Sequence, residues 1–170
     1  MIGIHHAGIV VSDLDRSIDF YTDVLGLRLA TAPSAPASDP VIDTLLRLPD
    51  VSVRGVLLAA GDQELELLEF AAPERASDAT IPSHALGAQH VAFRVADVRA
   101  SRDAITSRGG QFLGPVNVID EGPFAGMRTT FLLDPDDVRV ELVEVAYRDT
   151  EARERGVDEY RRSRGRPLPA

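Results

Sequence analysis

The chain contains no cysteine, no lysine and no tryptophan. Without cysteine there is no disulfide and no thiolate chemistry, and redox usage does not mark the compartment. All 18 basic residues are arginine, which excludes a Schiff-base lysine and a phosphate-loop lysine. No apolar run approaches the roughly 20 residues that cross a bilayer, so no membrane partner is expected. The opening "MIGIHHAGIVV" has neither a basic flank nor a small-residue cleavage site, so no signal peptide and a cytoplasmic location are expected. The 27 acidic residues outnumber the 18 basic ones, and the net charge of −9 opposes nucleic acid as a partner. Aromatic residues make up 5%, which leaves little for stacking a large flat ligand. What is present is 170 residues, 44% hydrophobic, enough for one compact domain or two small modules sharing a core.

The chain repeats itself. "HAGIVVSDLDRSIDFYTDVLG" from His6 and "HVAFRVADVRASRDAITSRGG" from His90 align without a gap at a slide of 84 residues. Asp13 falls on Asp97, Ser17 on Ser101, Asp19 on Asp103, Thr22 on Thr106 and Gly26 on Gly110. Each half closes on a second matched stretch, "ELELLEF" and "RVELVEV", where Glu66 falls on Glu141, Leu67 on Leu142 and Glu69 on Glu144. The slide there is 75 residues, so the first half carries nine more between its matched ends.

Both halves begin with a strand of alternating character. In Ile4–Val11, residues Ile4, His6, Gly8 and Val10 share a face. In the second copy, Ala88, His90, Ala92 and Arg94 share a face. The opposite faces (Ala7, Ile9, Val11; Val91, Phe93, Val95) are apolar and suited to packing on helices. Ser12 or Asp13 in the first half and Asp97 in the second are expected N-caps. Helices are predicted over Leu14–Leu25 and Val98–Arg108, with Gly26 and Gly109-Gly110 as stops. Strands follow at Leu27–Ala30, Val51–Ala59 and Gln63–Phe70 in the first half. In the second they are Phe112–Leu113, Val116–Ile119, Met127–Leu133 and Val138–Val145.

This divides the chain into a first βαβββ module (1–70), a linker (71–87), a second module (88–146) and a charged tail (147–170). Within the first module, 31–50 is an insertion: a proline-rich loop, then one or two helical turns at Val41–Leu48 with Ile42, Leu45, Leu46 and Leu48 available for packing. It is either a surface excursion or a lid. The tail carries seven arginines and five acids; a solvated helix over Thr150–Arg164, a disordered segment and a dimer-clasping arm are the alternatives.

His6, Glu66, His90 and Glu141 occupy equivalent places on inward-facing strand positions. Two imidazoles and two carboxylates in one cleft suit a divalent metal. On an octahedral ion they leave two positions for water or substrate. Small neighbours at Gly8 and Ala92 leave room there. His5 reads as structural or supporting, and His84 as a surface residue or a loop proton shuttle. Arg94 and Arg128 are candidates for holding an anionic substrate group.

The pattern "HHAGIVVSDLDRSIDFYTDVLGL…ELELLE…HVAFRVADV…FLLDPDDVRVELVE" resembles the vicinal-oxygen-chelate superfamily over about residues 2–146. That superfamily holds glyoxalase I, methylmalonyl-CoA epimerase, extradiol dioxygenases and antibiotic-resistance proteins. The resemblance implies an α+β fold in which the two tandem βαβββ modules form a curved mixed sheet around a metal-binding cleft, with helices outside. It implies metal ligands at His6, Glu66, His90 and Glu141, with one divalent ion (Ni, Co, Zn, Mn or Fe). It implies proton transfer beside a metal-bound carbonyl, with Glu141 or Glu66 as the base, acting on a small-molecule substrate. A homodimer is also expected. The alternatives are an Fe(II) extradiol-type dioxygenase using His6, His90 and Glu141, against which Glu66 counts, and a non-catalytic binding or resistance protein.

Overall fold

A computed structural model describes residues 3–74, 81–145 and 150–165. The first module runs β1 (His6–Val10), α1 (Leu14–Asp19), a π-helical turn (Phe20–Val24), β2 (Arg28–Leu29), α2 (Pro40–Leu46), β3 (Ser52–Ala60) and β4 (Gln63–Ala72). The second runs β5 (His90–Arg94), α3 (Val98–Ser107), β6 (Asn117–Val118), a 3₁₀ turn (Gly122–Phe124), β7 (Arg128–Leu133) and β8 (Arg139–Glu144); α4 (Thr150–Ser163) follows. Each module is a four-stranded mixed sheet, in order β1-β4-β3-β2 and β5-β8-β7-β6. The α+β class and the paired modules agree with the sequence; the sheet surface comes as two four-stranded halves. The predicted β4 ends at Phe70, whereas hydrogen bonding to β3 carries it to Ala72. Part of the linker (75–80) and the junction with the tail (146–149) lie outside the described residues.

The register is the same in both halves. β1 runs parallel to β4 with Gly8 opposite Glu66, and β5 runs parallel to β8 with Ala92 opposite Glu141. Alternation then buries one face of each sheet. Val56, Leu58, Leu65 and Leu67 in one sheet and Leu132, Val140 and Leu142 in the other join Leu14, Tyr21, Val98 and Ile105 of the helices in one core. Burying each such side chain contributes about 1.5–3 kcal/mol.

Local chemistry explains where the helices start. The Asp13 carboxylate accepts from Arg16 N, and that of Asp97 from Arg99 N and Ala100 N. A second device is duplicated. Glu69 accepts from Leu14 N at 2.7 Å and from the Arg54 guanidinium, while Glu144 accepts from Val98 N at 3.1 Å and pairs with Arg128. Each carboxylate thereby ties the first turn of a helix to the sheet beneath it, where the helix dipole favours negative charge. This places Arg128 on the helix side, away from the face that bears His90.

The first helix departs from the predicted single span. Its last turn is π-helical, with Leu25 N bonding Phe20 O while the Thr22 hydroxyl takes the Ile18 carbonyl. The hydroxyl competes for an acceptor of the helix ladder. The 31–50 insertion lays its first part along the β3 edge, with Ser34 N bonding Gly55 O and Ala37 bridging Val53. It then turns into α2, whose Val41 and Leu45 are exposed, as are Leu46 and Leu48. The tail helix spans Thr150–Ser163, with its i,i+4 ion pairs on exposed side chains. Among the described residues no helix is long and apolar enough to cross a membrane.

The modules are joined by a polar knot at the hairpin between β7 and β8. Tyr21 of the first module donates its hydroxyl to Asp134 at 3.0 Å, and both are buried. Ser12 and Arg16 bind Asp136 beside it. Burial, followed by the Asp134 charge, pushes the Tyr21 phenol far above its ordinary range. Burial likewise raises the Asp134 carboxyl, although Val138 N, Asp136 N and Tyr21 hydrogen-bond to it and pull the other way.

Two expectations follow. Glu69→Gln and Glu144→Gln each lower unfolding free energy by about 1–3 kcal/mol, measured by denaturant melts. For Asp134 the folded pKa lies above the unfolded one, so its contribution is present at low pH and is lost as pH rises through the folded value. Asp134→Asn keeps an acceptor for Asp136 N and Val138 N and reverses the Tyr21 contact, with the amide donating to the phenol oxygen, and it removes that titration. Its stability relative to wild type therefore grows between about pH 3 and pH 7, and a constant difference would disprove the sign.

Candidate metal-binding half-sites

The exposed face of each sheet carries a histidine–glutamate pair. His6 Nε2 stands 3.3 Å from Glu66 Oε2, and His90 Nε2 stands 3.2 Å from Glu141 Oε2. Parallel pairing produces both contacts. His6 sits across from Glu64 and His90 across from Arg139, so each glutamate lies one pleat farther along on the same face. The residue opposite each glutamate is Gly8 or Ala92, too small to intervene.

The two pairs do not meet within one chain. Among the described residues no group of three or more His, Asp or Glu side chains lies close enough to hold an ion. The structure therefore unites His6 with Glu66 and His90 with Glu141, rather than all four around one point. Both pairs open to solvent: the side chains of His6 and His90 are 39% and 51% exposed. Their donor sets fit a divalent ion. Two donors each about 2.1 Å from an ion and at right angles to each other lie about 3 Å apart, close to the spacings found.

The surroundings differ between halves. His6 is oriented by His5, whose Nδ1 lies 2.8 Å from His6 Nδ1, and its Nε2 faces Glu66. His90 instead packs edge-to-face on Phe131 at 5.6 Å between ring centroids. A cavity of about 360 Å³ opens beside it, lined by Leu113, Asn117, Phe131 and Arg139 among others. Glu141 is 8% exposed and accepts a hydrogen bond from the Thr129 hydroxyl. The exposed Arg94 shares the His90 face of β5, whereas His84 is exposed in a turn and joins neither pair. Thr129 and Phe131 were missing from the sequence reading. Alternation along β7 puts both on the open face, but only the β7–β8 register brings them to Glu141.

Comparison with known proteins agrees with this architecture. Residues 3–142 match the family profile described as the Glyoxalase/Bleomycin resistance protein/Dioxygenase superfamily. The chain is 32% identical to a 2-epi-5-epi-valiolone epimerase from Actinomyces sp., over 84% of this chain and 79% of that protein. It is 31% identical to the lactoylglutathione lyase of Haemophilus influenzae, over 83% and 91% of the respective chains. A glyoxalase family protein from Bacillus cereus superposes with a TM-score of 0.68 at 24% identity, covering 85% of this chain and 94% of that one.

Replacing His5 with alanine releases the His6 ring. The expected outcome is a loss of about tenfold or more in divalent-metal affinity, read by calorimetric titration, with the melting temperature little changed.

Proposed function

The chain belongs to the glyoxalase/bleomycin resistance protein/dioxygenase superfamily, and on that footing we propose that it is a metal-dependent isomerase, epimerase or lyase that moves a proton beside a carbonyl. Its centre is completed by a second copy of the chain: His6 and Glu66 of one copy with His90 and Glu141 of the other. The single observation carrying this reading is the pair of half-sites, each with one imidazole and one carboxylate 3.2–3.3 Å apart, open on separate sheet faces. A two-fold symmetric dimer would complete two such centres at once.

Held there, a divalent ion supplies Lewis acidity that withdraws electrons from a substrate carbonyl. The remaining work falls to the side chains. His6 and His90 would bind the ion through Nε2, and the His5 ring, 2.8 Å from His6 Nδ1, orients His6. One glutamate oxygen accepts the proton as the adjacent C–H bond breaks, and the electron pair delocalises toward the carbonyl oxygen. Returning that proton to the other face of the same carbon gives epimerisation; returning it to the neighbouring carbon gives isomerisation. Glu66 and Glu141 are the two carboxylates available for this step. The relatives named epimerase and lactoylglutathione lyase support this class of chemistry. Phe131 packs against the His90 ring and orients it.

Two measurements test the reading. A His6→Ala/Glu66→Ala variant and a His90→Ala/Glu141→Ala variant should each bind no Co²⁺ tightly. Unfolding and refolding them together in equal amounts makes half of the dimers mixed, each with one intact centre, so about a quarter of the wild-type Co²⁺ sites return. No recovery on mixing, with both variants folded, would refute a centre shared between copies. Incubated in deuterium oxide with 2-epi-5-epi-valiolone or S-lactoylglutathione, the Co²⁺-loaded protein should incorporate deuterium next to the carbonyl and consume no oxygen. Oxygen uptake would move the assignment to a dioxygenase.

A further inference from the structure

The repeat that builds the two modules offers two equivalent contacts where they meet, and only one of them is made. On one side Tyr21 of the first helix reaches Asp134, and Ser12 and Arg16 bind Asp136. At the slide of 84 residues Tyr21 falls on Ile105, Ser12 on Ala96 and Arg16 on Ala100. At the slide of 75, Val138 falls on Gln63. Asp134 N bonds Val138 O, while Ala60 pairs with Gln63, so Ala60 takes the place of Asp134. Gly61 and Asp62 turn the chain where Pro135, Asp136 and Asp137 do so in the other hairpin. The second junction therefore has isoleucine, alanine and glycine where the first has tyrosine and aspartate.

The space left there is a cavity of about 790 Å³. Ala60 and Gly61 line it from the first module, and Ile105 and Phe93 from the second. Core residues Leu65 and Leu142 add to its apolar surface, and none of His6, Glu66, His90 and Glu141 lines it. It is therefore separate from both half-sites. Arg28, Arg94 and Arg108 also line it, and all three are exposed. Asp62 and Glu64 are the carboxylates on the same lining. Among the described residues no carboxylate pairs with any of these arginines. Arg108 is nevertheless held in place. Its Nε donates to Ala104 O at 3.1 Å and its Nη1 to Asp23 O at 3.4 Å, which fixes the guanidinium across the junction between the modules. Its Nη2 has no partner among the described residues.

We propose that this cavity is a second binding site, for a small amphipathic carboxylate whose apolar part lies against Ile105, Phe93 and Leu65 and whose carboxylate is held by Arg108. Covering the apolar walls drives binding. A guanidinium offers paired N–H donors that match a carboxylate, and one already fixed by two carbonyls loses little freedom when it binds. Arg28 and Arg94 add positive charge at the same cavity, while Asp62 and Glu64 favour a ligand with one negative charge over two. The occupant touches both modules. It supplies, on the open side of the junction, the link that Tyr21 and Asp134 make on the other. The site takes no part in the metal chemistry and does not depend on it.

Octanoate is the probe, with 1-octanol and octylammonium as chains of equal length, titrated by calorimetry into the metal-free full-length protein. Octanoate should bind about tenfold or more tightly than 1-octanol, and octylammonium more weakly than either. Arg108→Gln should remove the advantage of octanoate and leave 1-octanol unchanged, a split that a general loss of structure would not produce. Ala104→Phe keeps the backbone carbonyl that holds Arg108 and fills the cavity from α3. It should abolish binding of octanoate and 1-octanol alike, and octanoate should raise the melting temperature of the wild type but not of this variant. If Ala104→Phe does not fold, the Arg108→Gln comparison decides alone. The His6→Ala/Glu66→Ala variant should bind octanoate as the wild type does. Absence of octanoate binding to the wild type overturns the proposal, as does equal affinity for the three probes. Full octanoate affinity in Arg108→Gln or in folded Ala104→Phe also overturns it. Loss of octanoate binding in His6→Ala/Glu66→Ala would put the carboxylate at a half-site and overturn it as well.

Discussion

Parallel pairing between the first and last strands of each module is the constraint on which the rest depends. An imidazole and a carboxylate on neighbouring strands meet only when the register and the pleat agree. Here Gly8 lies opposite Glu66 and Ala92 opposite Glu141, which sets each histidine one pleat from its glutamate on the open face. A slip of one residue would carry His6 to the helix side and Glu66 away from it. The register is held from the other face, where Leu65, Leu67, Val140 and Leu142 are buried. Core packing and site geometry are therefore two consequences of one alternation.

A module of this kind buries its helix side and leaves its site side open. Glu69 and Glu144 lie two strand positions beyond Leu67 and Leu142 and bind the helix N-termini and an arginine. They resemble the site glutamates in sequence and do the opposite work: they close the module, while Glu66 and Glu141 keep one face available. The Tyr21–Asp134 contact then fixes how the two modules sit in one chain. That arrangement satisfies buried polar groups at the hairpin and leaves the two histidine–glutamate pairs apart. Under the proposed function, a second copy of the chain would supply the remaining donors.

Duplication also explains why the halves can diverge. Once two copies share a core, each position of the repeat is free to differ where the other supplies the missing part. His5 supports the first histidine and Phe131 the second; Thr129 has no counterpart because Gly55 lies too close to the Leu67 carbonyl. A pair of equivalent carboxylates thereby becomes a pair with unequal surroundings, Glu141 held by Thr129 and Glu66 more open.

Much of this was legible in the residues themselves. The gapless repeat fixed the two modules, alternation fixed which face each histidine and glutamate occupies, and Asp13, Asp97 and Gly26 marked helix ends by their own hydrogen bonds and backbone freedom. These are local properties, set by a period of two or by a side chain reaching its own backbone. What only the tertiary structure decided involves partners distant in sequence. Tyr21 reaches Asp134, Thr129 reaches Glu141 through the register of a hairpin, Arg128 is drawn to Glu144 on the far face, and the four metal-binding candidates divide into two pairs. Periodicity assigns a side chain to a face, but the distance between two faces depends on how the sheets pack, which no local pattern encodes.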